Sequence, residues 1–290
     1  EWAKKEGMRC WLYDEDRYSS GFAGGLVTRD VRCRSRHLVF TPRPEEGFEA
    51  GRAAFDRAVA AGGKPKGYFL ACYRVTLRDG TLAGYERLDA ADAGAGGVWY
   101  AYLELEAESP WRNDQTYVNT LDRHAIERFL AVTHERYYGE LGRDFGGSIP
   151  AIFTDEPHFP RIQRLRFPEE KARLTMAFTD DMEETFRAAY GVSLLDHLPE
   201  TVWAMPDGRM SPVCYRYHEH VTERFVTAYS DTIGRWCGAH GILFTGHVLE
   251  EDGLESQSGM VGEAMRFYRS MQLPGIDMLA DTRHYSTAKQ

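Results

Sequence analysis

Two carboxyl groups stand side by side in the segment Thr154-Asp155-Glu156-Pro157-His158, directly after a short apolar run. Cleavage of a glycosidic bond needs two carboxyl groups, one as proton donor and one as nucleophile or base. If the apolar run is a strand that continues, Asp155 and Glu156 point to opposite faces and only one can face the site. We expect Glu156, which has the longer reach, to be the acid, with His158 tuning its proton affinity. The alternative is a helix cap or a solvated loop at a strand end.

Three further segments carry side chains that suit sugar binding. The acids of Asp14-Glu15-Asp16 precede a glycine-rich stretch and can hydrogen-bond vicinal hydroxyls, but the stretch lacks the lysine of a phosphate-binding loop. Segment 111–117 interleaves Trp and Tyr with amides, as in a sugar-stacking subsite. Segment 246–251 combines His247 with a candidate second carboxylate. The alternatives are an acidic turn, a surface loop with a buried Trp, and an acidic helix start.

The predicted roles fall into two groups. The predicted catalytic residues are Glu156 and Glu250, and the predicted substrate-binding residues are Asp14, Glu15, Asp16, Trp111, Asn113, Gln115, Asp155, His158, His247 and Asp277.

Metal binding is a weaker prediction. His247 with Glu250, or the acids at 14–16, could hold a hard cation such as Ca²⁺ through oxygen ligands. There is no HExxH motif, and His218-Glu219-His220 is more typical of a helix surface than of a zinc site. The five cysteines are scattered without a CxxC spacing, which favours buried free thiols.

The elements around these residues repeat in one order: helix, glycine turn, short apolar strand, polar loop. We predict strands at 8–13, 149–154, 242–245 and 275–279, and helices at 122–140, with Asp122 as N-cap, and at about 215–238. Wholly apolar strands that alternate with helices indicate a parallel sheet buried on both faces. The fold class is therefore α/β, an incomplete (β/α)8 TIM-type barrel with the site where the strands' C-terminal ends meet. A doubly wound sheet is the rival, although no GxGxxG follows any strand.

A different pattern occupies residues 68–108. Strands are predicted at 68–77, 84–88 and 98–106, and Asp79-Gly80 is a hairpin signal. We interpret this as a small antiparallel β insertion whose last strand can return to the barrel. On that count the visible barrel strands are the second to the sixth, and Glu156 follows the fourth.

Length and charge limit the class of protein. The 290 residues suit one large catalytic domain, which we expect to be a fragment (1–290) of a longer protein with further domains, since it begins like the tail of a helix and stops just after an apolar stretch. The net charge of −9 argues against nucleic acid and membrane surfaces as partners. Apolar runs fall short of the roughly 20 residues that span a bilayer. The compartment stays open.

Several of these segments together resemble a known family. They are residues 11–16, 20–25, 153–157, 245–247 and 274–279. They resemble TIM-barrel glycoside hydrolases, most closely the large multidomain alpha-L-rhamnosidase-like enzymes and their relatives, over about residues 2–281. The resemblance implies a retaining or inverting hydrolase of plant or microbial polysaccharide side chains. It also implies an acid/base Glu after the fourth strand, with the nucleophile after a seventh strand beyond this chain. In rhamnosidase-like members a Ca²⁺ ion and a base from another strand serve instead, which draws attention to Glu250 or Glu251.

The function expected from the sequence is removal of terminal sugars from poly- or oligosaccharides, with Glu156 as general acid and carbohydrate as the partner. Two alternatives remain open. One is a carbohydrate-binding barrel without catalysis, or an inactive fragment. The other is a metal-dependent hydrolase or isomerase on the same scaffold.

Overall fold

The computed structural model describes residues 1–89 and 97–277. The chain divides into two compact units. The first comprises residues 1–35, 106–159 and the described residues from 222 onward, and the second comprises the described residues of 36–105 together with 160–221. Within the described residues no helix combines the length and the apolar character that a membrane crossing requires.

Strands and helices are numbered in chain order. The strands are β1 (Leu12–Tyr13), β2 (Arg36–Thr41), β3 (Phe48–Glu49), β4 (Gly67–Arg78), β5 (Thr81–Leu88), β6 (Val98–Leu105), β7 (Ala151–Asp155), β8 (Leu174–Ala177), β9 (Leu243–His247) and β10 (Leu273–Pro274). The helices are α1 (Trp2–Lys5), α2 (Arg52–Ala60), α3 (Arg123–Val132), α4 (His134–Leu141), α5 (Met182–Tyr190), α6 (Pro212–Phe225), α7 (Asp231–Ala239), α8 (Leu254–Met260) and α9 (Ala264–Tyr268).

The first unit is built on a parallel sheet in the order β1-β7-β9-β10. Helices lie between consecutive strands along the chain, and the spatial order follows the chain order. A doubly wound sheet would reverse its order at a switch point, and these four strands have no such reversal. The predicted α/β class with a parallel sheet is confirmed. The described residues form four parallel strands and do not close a barrel.

Several predicted boundaries in the first unit differ from the structure. The helix predicted at 122–140 is broken at Thr133 into α3 and α4, although Asp122 caps α3 as predicted by accepting a hydrogen bond from the His124 amide. The helix predicted at 215–238 begins at Pro212 and passes through a π-helical turn, Val226–Ser230, before α7. The predicted fourth parallel strand exists as β10 but is Leu273–Pro274 and not 275–279; residues 275–277 are not in a strand, and 278 and 279 lie outside the described part.

Gly246 sets the spacing between the two central strands of this sheet. Thr154 and Gly246 are register partners, and a Cβ atom on Gly246 would lie 2.0 Å from the Thr154 carbonyl oxygen. The φ angle of Gly246 is also 140°, in a region that side chains disfavour. The absence of a side chain therefore lets β7 and β9 approach and places Asp155 opposite His247.

The second unit contains a six-stranded sheet. Five of its strands lie in the order β3-β4-β6-β2-β8, and β5 pairs with β4. Val39, Tyr100 and Tyr102 pack with Cys72 and Val98 on one face, whereas Phe40 and Trp99 stack at 5.0 Å on the other. Both faces of the sheet carry apolar side chains because successive residues of a strand point to opposite faces.

This sheet corrects the predicted small insertion. The three predicted strands exist as β4, β5 and β6, and the β4–β5 turn is at Asp79-Gly80. They are part of a larger sheet, because β2, β3 and β8 join them. The last of the three, β6, pairs with β2 and β4 and does not return to the parallel sheet. Since β1 pairs directly with β7, the strand count that put Glu156 after a fourth strand is wrong, and Glu156 follows the second of the four described parallel strands.

Candidate active site

Four polar side chains gather where the parallel strands end in the first unit. Asp155 ends β7 and Glu156 follows it, His247 ends β9, and Asp277 lies three residues after β10. Because Asp155 and His247 are register partners in neighbouring parallel strands, their side chains share one edge of the sheet. Residues far apart in the sequence thus meet at the carboxyl ends of the strands, where active sites commonly lie in α/β folds.

His247 lies between two carboxylates. Its Nε2 is 3.2 Å from Asp155 Oδ1, and its Nδ1 is 3.9 Å from Glu156 Oε1. The expectation that only Asp155 or Glu156 could face the site assumed that the strand continues, and this condition is not met. The strand ends at Asp155 and Glu156 adopts a left-handed conformation, φ 47°, which turns both carboxylates towards the same imidazole.

Asp277 completes the cluster. One carboxylate oxygen each of Glu156 and Asp277 and one ring nitrogen of His247 lie within 4.8 Å of one another. The segment that carries Asp277 is held by Glu251, whose carboxylate accepts a 2.6 Å hydrogen bond from the Asp277 amide. Glu251 is itself buried and accepts a hydrogen bond from the Tyr268 hydroxyl. Glu251 therefore positions Asp277, and the catalytic role expected for Glu250 stays a prediction.

Two tyrosines that the sequence analysis missed contact the carboxylates. The Tyr13 hydroxyl donates a 2.7 Å hydrogen bond to Asp155 Oδ2, and the Tyr18 hydroxyl hydrogen-bonds Glu156. Burial and the adjacent carboxylates raise the pKa of both phenols, which keeps them as donors. Tyr13 ends β1, so the position of a tyrosine at a strand end was the available signal.

The pKa values of the neighbouring Asp155 and Glu156 carboxyl groups are shifted in opposite directions. Burial raises the pKa of Glu156, and the charges of Asp155 and Asp277 add to this despite opposing effects of Tyr18 and His247. Burial also acts to raise the pKa of Asp155, but hydrogen bonds from His247 and Tyr13 outweigh it and lower the value. Glu156 thus retains its proton more readily than an ordinary glutamate, while Asp155 is ionised. Such a divergence separates the acid from the charged partner in a carboxylate site.

The acids around His247 raise the pKa of its imidazole, which favours the protonated form. Burial alone lowers the pKa of its imidazole, but the hydrogen bond to Asp155 and the charges of Glu251, Asp155 and Glu156 raise it overall. Its Nδ1 is buried and has no hydrogen-bond partner among the described residues. An unpaired polar atom in such a position is costly unless it serves another group. Nδ1 faces Glu156, so it can stabilise the Glu156 carboxylate once that group loses its proton.

Asp14 lies beneath the site. It is 1% exposed, and it accepts a 2.5 Å hydrogen bond from Ser20 Oγ, which in turn accepts one from the Asp155 amide. Burial raises the pKa of Asp14 well above its usual range. Direct substrate binding predicted for Asp14 does not suit this burial, and its contacts support β7.

Glu15 holds the glycine-rich loop. Its carboxylate accepts backbone hydrogen bonds from Asp16, Gly21, Phe22, Ala23 and Gly24 at 2.7–3.0 Å. These donors occupy both oxygens, so Glu15 has a structural role in place of the predicted sugar contact. The exposed Asp16 packs against Gly24, at which a Cβ atom would lie 2.5 Å from Asp16 Oδ2.

Segment 111–115 packs on the same loop. Asn113 Nδ2 donates a 3.1 Å hydrogen bond to the Gly24 carbonyl, and the Gln115 side chain fills the space beside Gly25. The Asn113 amide is thus bonded to the loop, whereas Gln115 packs against it through its side-chain carbons. Trp111 is 61% exposed, so its ring is the member of this segment that is open for stacking on a sugar.

His158 contacts the backbone of Glu156 and the ring of Tyr117. Its Nδ1 lies 3.1 Å from the Glu156 backbone oxygen, and its ring stacks on Tyr117 with centroids 4.6 Å apart. The expected tuning of Glu156 by His158 stays a prediction, and His247, which ends the adjacent strand, has its Nδ1 3.9 Å from Glu156 Oε1.

The cluster of Glu156, His247 and Asp277 also has the form of a metal site. His247 Nε2 is engaged by Asp155, as outer carboxylates commonly orient ligating histidines, and Nδ1 is left for a ligand. Two carboxylates and one imidazole suit Zn²⁺, Mn²⁺ or Fe²⁺, whereas Ca²⁺ takes six to eight oxygens. The acids expected to bind Ca²⁺ at 14–16 include two that are hydrogen-bonded within the protein.

Comparison with known proteins does not identify a family for this chain. No model of a protein family matches the sequence, and no curated protein matches it. A rhamnosidase from Novosphingobium sp. PP1Y is a similar solved structure, with a TM-score of 0.40 and 16% identity. The match covers 61% of this chain and 16% of that chain, so this chain spans only a small part of the rhamnosidase's length. A likeness at this TM-score carries no conclusion on fold or activity.

Proposed function

We propose that this protein is a glycoside hydrolase in which Glu156 is the general acid. The observation that carries the proposal is the pair Asp155 and Glu156, whose pKa values are moved apart at the C-terminal edge of a parallel sheet. A glycosidase needs one carboxyl group that stays protonated until it protonates the leaving oxygen. The raised pKa of Glu156 meets that need.

The surroundings of Glu156 suit the charge that the reaction creates. When Glu156 gives its proton to the glycosidic oxygen it becomes an anion. The Tyr18 hydroxyl and the imidazole of His247 then face that anion, and Asp155 maintains the protonated state of His247. Groups that strengthen their interaction as charge develops lower the barrier.

Asp277 is the second carboxylate of the proposal. Its oxygen lies within 4.8 Å of a Glu156 oxygen, and it can approach the anomeric carbon as the nucleophile. We propose terminal sugars of poly- or oligosaccharides as substrates, and alpha-L-rhamnosides as the first to test because of the sequence resemblance. Trp111 offers the exposed ring on which a sugar face can stack. Release of sugar from a panel of aryl glycosides tests the proposal directly.

The spacing predicts retention of anomeric configuration. Carboxyl groups about 5–5.5 Å apart are typical of retaining enzymes, whereas inverting enzymes need 6.5–9.5 Å to admit a water. One oxygen of Glu156 lies within 4.8 Å of one oxygen of Asp277, which is closer than the separation that admits a water. Proton NMR of the first-formed product should show the anomer of the substrate. Initial formation of the opposite anomer would contradict Asp277 as nucleophile.

A metal-dependent hydrolase or isomerase is the second candidate, favoured by the cluster of Glu156, His247 and Asp277. Titration calorimetry with Zn²⁺, Mn²⁺ and Ca²⁺ distinguishes the two. If Glu156 acts as a proton donor, chelator-treated protein keeps its full hydrolytic rate. Tight binding of one metal ion, lost in His247→Ala but kept in His158→Ala, together with activity that vanishes with chelator, would favour the metal-dependent reaction.

A further inference from the structure

A groove of about 600 Å³ in the first unit is lined by cationic side chains. Its charged lining consists of Arg29, Arg32, Arg128 and Arg136, with His124 and Asp30. We call it the arginine groove. Residues 26–32 form one part of its wall, and helices α3 and α4 supply the others. None of its lining residues belongs to the candidate active site.

The groove is positive within an acidic protein. Four arginines and one aspartate give a formal lining charge of +3 with His124 neutral, whereas the whole chain carries −9. The carboxylate of Asp30 is already engaged, since it accepts hydrogen bonds from Arg32 Nε at 3.2 Å and Nη2 at 2.8 Å. The positive charge that remains comes from Arg29, Arg128 and Arg136.

These three guanidinium groups have no side-chain hydrogen bond or ion pair with any residue in the described ranges 1–89 and 97–277. The acids nearest in sequence on α3 and α4 are used elsewhere. Glu127 pairs with Arg123 at 2.8 Å, and Glu135 accepts a hydrogen bond from Trp236 Nε1. Unneutralised like charges repel, so an anion in the groove would relieve an unfavourable interaction.

The spacing of the helical members places them in one line. His124, Arg128, Val132 and Arg136 are four residues apart, and all four line the groove. Side chains at this spacing share a helix face, and here the line continues across the break at Thr133. Arg29 comes from a separate segment, so guanidinium groups from three elements converge on one volume.

We propose that the arginine groove binds a small molecule that carries at least two oxyanion groups: phosphate, sulfate or carboxylate. The planar guanidinium donates paired hydrogen bonds to such groups, and several together select for multiple charges. A volume of about 600 Å³ is typical of small-ligand sites. No Phe, Tyr or Trp is among the lining residues, which disfavours a neutral sugar. The negative charge of the whole chain disfavours a long nucleic acid. The inference is independent of the proposed hydrolase activity.

Titration calorimetry at low salt tests the proposal with three small probes: tripolyphosphate, citrate and a sulfated disaccharide. A short single-stranded oligonucleotide is the fourth arm. We expect one-to-one binding of at least one small probe, weakened by added salt. Relative affinities among the three identify the preferred oxyanion. Absence of binding by all three, or tighter binding of the oligonucleotide through the same arginines, would overturn the proposal.

Charge-matched variants locate the site. Arg128→Gln and Arg136→Gln should each weaken binding of the best probe about tenfold or more, because each removes a charge-assisted hydrogen-bond donor. Arg235→Gln is the control, since it removes the same charge from an exposed position on α7 outside the groove. It should change affinity less than twofold. An equal loss in all three variants would show that net charge and not the groove attracts the anion.

Discussion

Glu156→Gln is expected to lower kcat/KM at least about 100-fold on alkyl or sugar glycosides, whose leaving groups need a proton. The amide keeps the size of the side chain but has no proton to transfer at neutral pH. On dinitrophenyl glycosides the loss should be much smaller, because that leaving group departs as a stable anion. Steady-state kinetics on both substrate types measures the difference. A wild-type rate on the alkyl glycoside would contradict the assignment.

The pH profile gives the same variant a second readout. Glu156 must be protonated to act, so the wild-type rate should fall as the pH rises through its pKa. Burial raises that pKa, which moves the fall to a higher pH than an ordinary glutamate would give. The alkaline fall should be absent from Glu156→Gln. Glu255→Gln, at an exposed glutamate on α8, is the control and should keep both the rate and the profile.

Gly246→Ala is expected to destabilise the protein by more than about 3 kcal/mol, because strain at a disfavoured φ adds to overpacking. The added methyl group would lie 2.0 Å from the Thr154 carbonyl oxygen, and backbone atoms cannot move aside as a flexible side chain can. The strands β7 and β9 must separate, which also moves His247 away from Asp155. Thermal denaturation should show a fall in Tm of roughly 5 °C or more.

Gly238→Ala is the matched control for this prediction. Gly238 lies in α7, and a Cβ atom there would meet no atom within 4 Å. Alanine favours a helix over glycine by about 0.5–1 kcal/mol, so this variant should be as stable as the wild type or more so. A Gly246→Ala protein that melts at the wild-type temperature would mean that the two strands are not packed as described.

The sequence predicted the position of Asp155 and Glu156 but not the side chains that contact them. A buried apolar run followed by Asp155-Glu156 predicted carboxylates at a strand end, and the structure has them there. The contacts of His247 and Tyr13 with Asp155 depend on which strands are neighbours in the sheet. Residues 13, 155 and 247 are far apart in the sequence and are brought together by the pairing of their strands. The positive φ of Glu156 was equally hidden, since no glycine or proline occupies position 156.

The role of Glu15 could not be predicted from the sequence for a different reason. An acid before a glycine-rich stretch predicts either a ligand contact or a loop cap, and the residue types are the same in both cases. In the structure, backbone amides of the glycine-rich loop converge on the Glu15 carboxylate, so Glu15 caps that loop. The size of the second sheet was missed for a related reason. The interior strand β2 pairs with residues at least 59 positions away, and hydrophobic alternation does not reveal such pairing.

Hydrolysis of a panel of alkyl glycosides, alpha-L-rhamnoside included, by the wild-type protein and Glu156→Gln tests whether Glu156 is the general acid of a glycoside hydrolase, because these leaving groups need a proton. Chelator is present throughout, and circular dichroism establishes that both proteins are folded. We expect turnover of one sugar by the wild type and its collapse in the variant. A folded wild-type protein that binds sugar by calorimetry but releases no product from any glycoside would contradict it and would indicate a carbohydrate-binding protein.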